Sequence, residues 1–197
     1  MSKPLVCCFD CSDVLIHLGR AKAEHAKNMF GVDCCPQHFK RKFIVGKHGL
    51  LTEEQYDEIQ RVVYDPEHML SLNAVPGAVE CIEDIARAGH RVCIVTSRTG
   101  EKLEVIKKWW RRKSPLEIEF FGTGQGQSKG PTLKRLKADT FVDNDRKKLR
   151  LIAEEGIRTK LFLLSWCSNT HHHLPKPLRR LGSFTQFREE LALMGNF

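Results

Sequence analysis

The chain has 197 residues, 41% hydrophobic and 28% charged, enough for one domain with a sizeable core or one domain carrying a small insertion. A net charge of +8, from 32 Lys and Arg against 24 Asp and Glu, favours an anionic partner such as a phosphate ester, a nucleotide or nucleic acid. No stretch approaches the roughly 18 apolar residues of a membrane span. The start MSKPLVCC lacks the features of a signal peptide, and the cysteines read as packed thiols of a reducing compartment, without a disulfide framework or structural zinc site. The expectation is therefore a cytoplasmic protein with no membrane contact.

The stretch LVCCFDCSDVL, from Leu5 to Leu15, opens as an apolar run without helical period, which predicts a buried central strand. It ends in Asp10 and Asp13. An Asp after a strand commonly caps a turn or helix, yet the carboxyl ends of parallel strands are also where ligands bind. Ile16 to Phe30 follows as helix, with Leu18, Ala21, His25 and Met29 as its stripe and Gly31 as its stop. The basic segment Cys34 to Lys47 offers Phe39, Phe43 and Ile44 for packing. TEEQ from Thr52 is a capping box that opens a second helix, with Tyr56, Ile59 and Val63 inward and Pro66 breaking the pattern. Residues 19–73 read as a helical insertion, a small cap, set into a core formed by residues 1–18 and 74–197.

Pro76 and Gly77 restart the alternation. A helix over 77–88 leads into a strand over 91–95, whose carboxyl end presents Thr96, Ser97 and Arg98. The helix over 101–112 turns Leu103, Ile106 and Trp110 inward, and Trp109 with Arg111 to Lys113 outward. A strand over 118–121, the polar loop GTGQGQSKG and a helix over 131–137 come next, the last opened by Pro131. A strand over 140–142 ends in Asp143, Asn144 and Asp145. A helix over 146–155 and a strand over 159–164 complete the alternation, which fits a mostly parallel sheet covered on both faces. The tail over 165–181 reads as irregular, and Phe184 to Met194 as a final helix with Phe187 and Leu191 inward. His171, His172 and His173 could bind a transition metal, but three consecutive side chains cannot all face one ion, so a surface loop is the favoured reading.

Four strand ends and loops thus deliver distinct polar groups: Asp10 and Asp13, Thr96 to Arg98, Lys129, and Asp143 with Asp145. Carboxylates from separate strands suit a hard divalent cation such as Mg²⁺, a hydroxyl and a lysine suit a phosphate, and a carboxylate can act as nucleophile in phosphoryl transfer. In this order the motifs resemble those of the haloacid-dehalogenase-like (HAD) hydrolases, over Val6 to about Leu164. FDCSDVL is similar to the family's first motif, the lead-in PGAVECIEDIARAGHRVCIVTSR to its second, SKGPTLKRL to its third and FVDND to its fourth.

The resemblance implies a Rossmann-like three-layer α/β fold with a small helical cap, and hydrolysis of a phosphate monoester through an aspartyl-phosphate. By the resemblance, Asp10 is the nucleophile and a Mg²⁺ ligand, and the Ser12 carbonyl is a second ligand. Thr96 and Lys129 hold the phosphoryl oxygens, with Ser97 and Arg98 beside them, and Asp143 binds the ion with Asp145 as its rival. Positive charge and the TSR segment favour a nucleotide or another small phosphorylated molecule as partner.

One departure stands out. Phosphatase members carry a second Asp two residues after the nucleophile as general acid and base; here that residue is Ser12, and Asp13 comes one position late. Either Asp13 turns in to serve, or the leaving group needs little help, or the chain keeps the ion and phosphate site in a regulatory or interaction role without catalysis. Nucleic-acid binding through the basic segments 40–47, 107–113 and 146–150 is the weakest reading, since no aromatic platform accompanies them.

Overall fold

The computed structural model describes residues 3–36, 39–165 and 174–194. The histidine triplet therefore lies outside the described residues. Val6–Phe9 (β1), a four-residue run buried from Cys7 onward, is central in a six-stranded sheet. Its companions are Arg91–Thr96 (β2), Glu119–Gly122 (β3), Thr140–Asp143 (β4), Lys160–Leu164 (β5) and Arg179–Leu181 (β6), in the order β3-β2-β1-β4-β5-β6. Every pairing is parallel, so the expected α/β sandwich is observed with a sheet that is parallel throughout.

The chain leaves β1 toward β2 and β3, then returns to the other side of β1 for β4. The sheet order reverses between β1 and β4, and it is at such a reversal that an open parallel sheet forms its ligand crevice. Register sets the level: Phe9 pairs with Val142, and the Asp10 N–H donates to the Val142 carbonyl at 2.8 Å, which brings Asp10 beside Asp143.

Two hydrophobic clusters cover the faces. One joins Cys7 and Phe9 to Ala78–Arg87 (α4), Glu101–Lys113 (α5) and Phe184–Ala192 (α8), with Phe187 edge-on to both Phe9 and Phe162. The other packs Cys8, Cys93 and Phe141 against Gly130–Leu136 (α6) and Arg146–Glu154 (α7). Cys8 and Cys11 are three positions apart, with two residues between them as in a metal-ligand spacing, but they belong to opposite clusters and do not converge.

Between β1 and α4 lie Leu18–Phe30 (α1), a π-helical turn over Lys42–Lys47, Glu53–Val63 (α2) and Pro66–Ser71 (α3). The chain enters and leaves this region side by side: Ile16 bridges Ala74, and the Val75 N–H donates to the Leu15 carbonyl at 2.9 Å. The capping box at Thr52 is formed in both directions. Phe39, Ile44, Tyr56, Ile59 and Val63 join the same cluster as Phe9, so the helices share the sheet's hydrophobic core.

Four local expectations are corrected. Trp109 is fully buried rather than outward, because α5 packs against α3 as well as the sheet and the Trp109 indole donates to the Leu72 carbonyl at 2.8 Å. Pro66 starts a helix as well as ending one, at its first position, where a missing N–H costs nothing and Asp65 caps. α1 buries Lys22, Ala23 and Ala26 with Leu18 and Ala21 and leaves Met29 exposed, since its buried face lies beside the expected stripe. The tail contains a strand, β6, too short and too basic to show an apolar run; β5 recruits it as an edge strand.

Candidate active site

The turn after β1 decides where its acids point. The N–H groups of Leu15 and Ile16 both donate to the Cys11 carbonyl at 2.9 Å, and that of Asp13 donates to Ile16. Asp13 takes a positive φ of 56°, a left-handed conformation that Asp tolerates better than most residues. Ser12 is left on the cleft wall, whereas the Asp13 carboxylate turns to α1, where Oδ1 accepts from the Gly19 N–H at 2.5 Å with His17 Nδ1 at 3.8 Å. Gly19 is required there, since a Cβ would stand 2.4 Å from the Pro36 carbonyl oxygen.

Asp10, Asp143 and Lys129 come from three separate elements to one point. Lys129, just before α6, extends Nζ to 2.5 Å from Asp10 Oδ1 and 2.8 Å from Asp143 Oδ2. All three are buried, at 5%, 0% and 3% exposure for Asp10, Asp143 and Lys129, so these are charge-assisted contacts in low dielectric. Burial works to lower the Lys129 pKa, but the two carboxylates outweigh it and hold the ammonium well above the ordinary lysine range. Asp143 is pushed up by burial and by Asp10, with Lys129 opposing. Its other oxygen accepts from the Asp145 N–H at 2.8 Å.

Thr96 is buried at the end of β2, with Oγ1 receiving a weak 3.4 Å contact from the Arg98 N–H. The Arg98 guanidinium reaches Cys11 Sγ at 3.5 Å and lies 5.3 Å from the Tyr64 ring centre; among the described residues no carboxylate pairs with it. Asp145 is engaged otherwise. It caps α7 through the N–H groups of Lys147 and Lys148 and pairs with Lys40 at 3.1 Å. Burial raises its pKa, Lys40 and Lys148 lower it, and the net position is below the ordinary value.

Ser12, Ser97, Arg98 and Lys129 thus meet on one open cleft of about 730 Å³, whose described charged lining residues are all cationic: Arg98, Lys102, Lys129 and Lys148. Gln60 of α2 and Tyr64 at its C-terminal end line it too. Sequence reasoning passed over these two because they fall beside the apolar stripe of α2, which marks only what is buried.

The donor set suits a hard cation. Among the described residues no group of three or more His, Cys, Asp or Glu converges. Mg²⁺, however, keeps several waters and needs only one or two carboxylates, and two carboxylate oxygens here already share one cationic partner.

No family model matches the chain. It is 26% identical over 175 residues, 85% of its length and 90% of the relative's, to a Bacillus cereus protein described as "Putative nucleotidase". Among solved structures it is similar to a HAD family hydrolase from Deinococcus radiodurans R1 with bound phosphate and sodium, with a TM-score of 0.65 at 14% identity over 100% of this chain and 99% of that one. It is also similar to a family IA HAD hydrolase from Entamoeba histolytica, with a TM-score of 0.61 at 14% identity over 98% and 100%. No helix among the described residues is long and apolar enough to cross a membrane.

Proposed function

We propose that this chain, which has the fold of the HAD-like hydrolases, is a phosphomonoesterase that uses Asp10 as nucleophile on a small phosphorylated molecule, with nucleotides as the favoured class. The observation that carries the reading is the convergence of the buried Asp10 and Asp143 on Nζ of Lys129, which itself lines a cleft whose charged lining is cationic. The name of the Bacillus relative and the phosphate bound in the Deinococcus structure support it.

In this reading Lys129, the Thr96 hydroxyl and the Arg98 guanidinium hold the phosphoryl oxygens and spread the charge that builds in the transition state. An Asp10 oxygen attacks phosphorus, the bond to the leaving oxygen breaks, and water later releases phosphate from the aspartyl ester. Mg²⁺ would be held by Asp10, Asp143 and the Ser12 carbonyl, and would supply charge neutralisation between the carboxylate and its anionic substrate. Asp145, engaged with Lys40 and the start of α7, supports the wall of the cleft.

A second reading, a regulatory protein that binds Mg²⁺ and a phosphorylated ligand without turnover, draws on the Asp13–Gly19 contact, which takes the nearest carboxylate away from the leaving group. Phosphate release from p-nitrophenyl phosphate and nucleoside monophosphates, with Mg²⁺ and with chelator, separates the two. Activity that falls at least about 10³-fold in Asp10→Asn supports the enzyme. Activity indifferent to that change overturns it, and Mg²⁺-dependent ligand binding without any turnover supports the second reading.

A further inference from the structure

Breaking a bond to an alkoxide requires a proton, and the turn after β1 supplies none: Ser12 is too weak an acid and the Asp13 carboxylate is bound at Gly19. The cleft holds another acid. Tyr64, at the C-terminal end of α2, lines it together with Ser12, Arg98 and Lys129. We propose that Tyr64 is the general acid and base of this site, an inference that rests on the phosphomonoesterase reading above.

Two cations flank its phenol. Lys22 Nζ, on the buried face of α1, donates to the phenol oxygen at 3.0 Å and also sits 4.7 Å from the ring centre. The Arg98 guanidinium is 5.3 Å from that centre. Among the described residues neither cation has a carboxylate partner. Such charges are costly to bury alone, and a phenolate between them would offset both. The other titratable groups around them are Tyr56, beside Tyr64, and Cys11 and Asp10, which face Arg98. Burial raises the Tyr64 pKa, yet Lys22 and Arg98 prevail and bring it below the ordinary phenol value. Gln60, one turn earlier on α2, lines the same cleft with a buried amide nitrogen that has no hydrogen-bond partner among the described residues. This end of α2 thus places two polar side chains on the cleft wall.

The step balances without an added reactant. As the Asp10 oxygen bonds to phosphorus, the phosphorus–oxygen bond of the ester breaks and its electron pair stays on the leaving oxygen. That oxygen takes the Tyr64 hydroxyl proton, leaving a phenolate beside Lys22 and Arg98. In the second half the phenolate takes a proton from the attacking water, the bond from phosphorus to Asp10 breaks, and phosphate leaves with the Asp10 carboxylate restored.

The experiment compares leaving groups. Tyr64→Phe keeps the ring and its contacts with Lys22 and Arg98, and removes the hydroxyl with its proton and its Lys22 hydrogen bond. The comparison is made in kcat/KM, which reports the first half-reaction and not the shared release of phosphate from Asp10: on alkyl esters, a nucleoside 5′-monophosphate and glycerol 3-phosphate, it should fall about 10²- to 10³-fold. On p-nitrophenyl phosphate, whose leaving group needs no proton, the loss should be at least about tenfold smaller, by the same dependence on leaving-group basicity. Equal losses on both classes, or none on either, overturn the assignment. So does a wild-type protein that hydrolyses p-nitrophenyl phosphate but neither alkyl ester. In Lys22→Met the alkaline limb of the kcat profile for the alkyl ester should move to higher pH, and a limb that stays overturns the assignment as well. If the wild type hydrolyses none of these esters, the phosphomonoesterase reading falls and takes Tyr64 with it. Hydrolysis that needs Asp10 but ignores Tyr64 removes Tyr64 alone.

Discussion

The carboxylate of Asp13 is tied to the backbone N–H of Gly19, 2.5 Å away, and so serves the start of α1. It acts as a capping acceptor for a helix whose own cap residue, His17, makes no side-chain bond to the helix backbone. Asp13→Asn keeps an acceptor and tolerates the positive φ, so turnover should stay within about fivefold of wild type. Asp13→Ala loses both features and should lower stability by about 1–2 kcal/mol. Thermal unfolding and phosphate release on the two variants check this, and a collapse of activity in Asp13→Asn would return Asp13 to the chemistry.

Lys129 is the only cation that touches both Asp10 and Asp143 among the described residues. Lys129→Ala leaves two buried carboxylates facing each other and should cost about 3–5 kcal/mol. A divalent cation offered to that pair should recover part of the loss. Unfolding midpoints of the variant with and without millimolar Mg²⁺ test it, and midpoints that ignore the ion would count against the pair as a cation site.

His25 and His68 approach with their Nε2 atoms 3.1 Å apart, joining α1 to α3. Burial and the facing His25 lower the His68 pKa, with Asp65 opposing. A histidine depressed in the folded state contributes stability that is present above its unfolded pKa, near 6.5, and lost as pH falls through the lower folded value. Stability to denaturant should therefore fall as the pH drops below about 6.5, and His68→Gln should flatten that slope. A slope unchanged in the variant would assign the effect elsewhere.

Trp109 fastens α5 to the stretch that follows α3 through its indole bond to the Leu72 carbonyl. Trp109→Phe loses that bond and part of the packing and should cost about 1–2 kcal/mol. Trp109→Ala should cost about 3–5 kcal/mol. Chemical denaturation of both variants gives the two values, and a cost below about 0.5 kcal/mol in Trp109→Ala would contradict the buried placement.

The order of strands and helices was legible in the residues alone, because the signals are local. Apolar runs such as VCCF and VCIV mark buried strands, Thr52 and Gln55 cap each other three residues apart, and Gly31 ends α1 in a left-handed conformation. The strand-end positions of Asp10, Thr96 and Asp143 follow from the same local rules. What these groups face did not follow. Lys129 meets Asp10 across 119 positions of sequence, Lys40 meets Asp145 across 105, and Lys22 meets Tyr64 across 42. The first depends on the order of strands in the sheet and the other two on how the helices between β1 and α4 lie against it, neither of which periodicity encodes. The direction of Asp13 was hidden for a different reason: one residue in a left-handed conformation turns its side chain from the cleft to the helix, while the motif reads the same either way. Sequence alone determined which acids stand at the strand ends, and tertiary structure decided that Asp10 and Asp143 share a cation while Asp13 holds a helix.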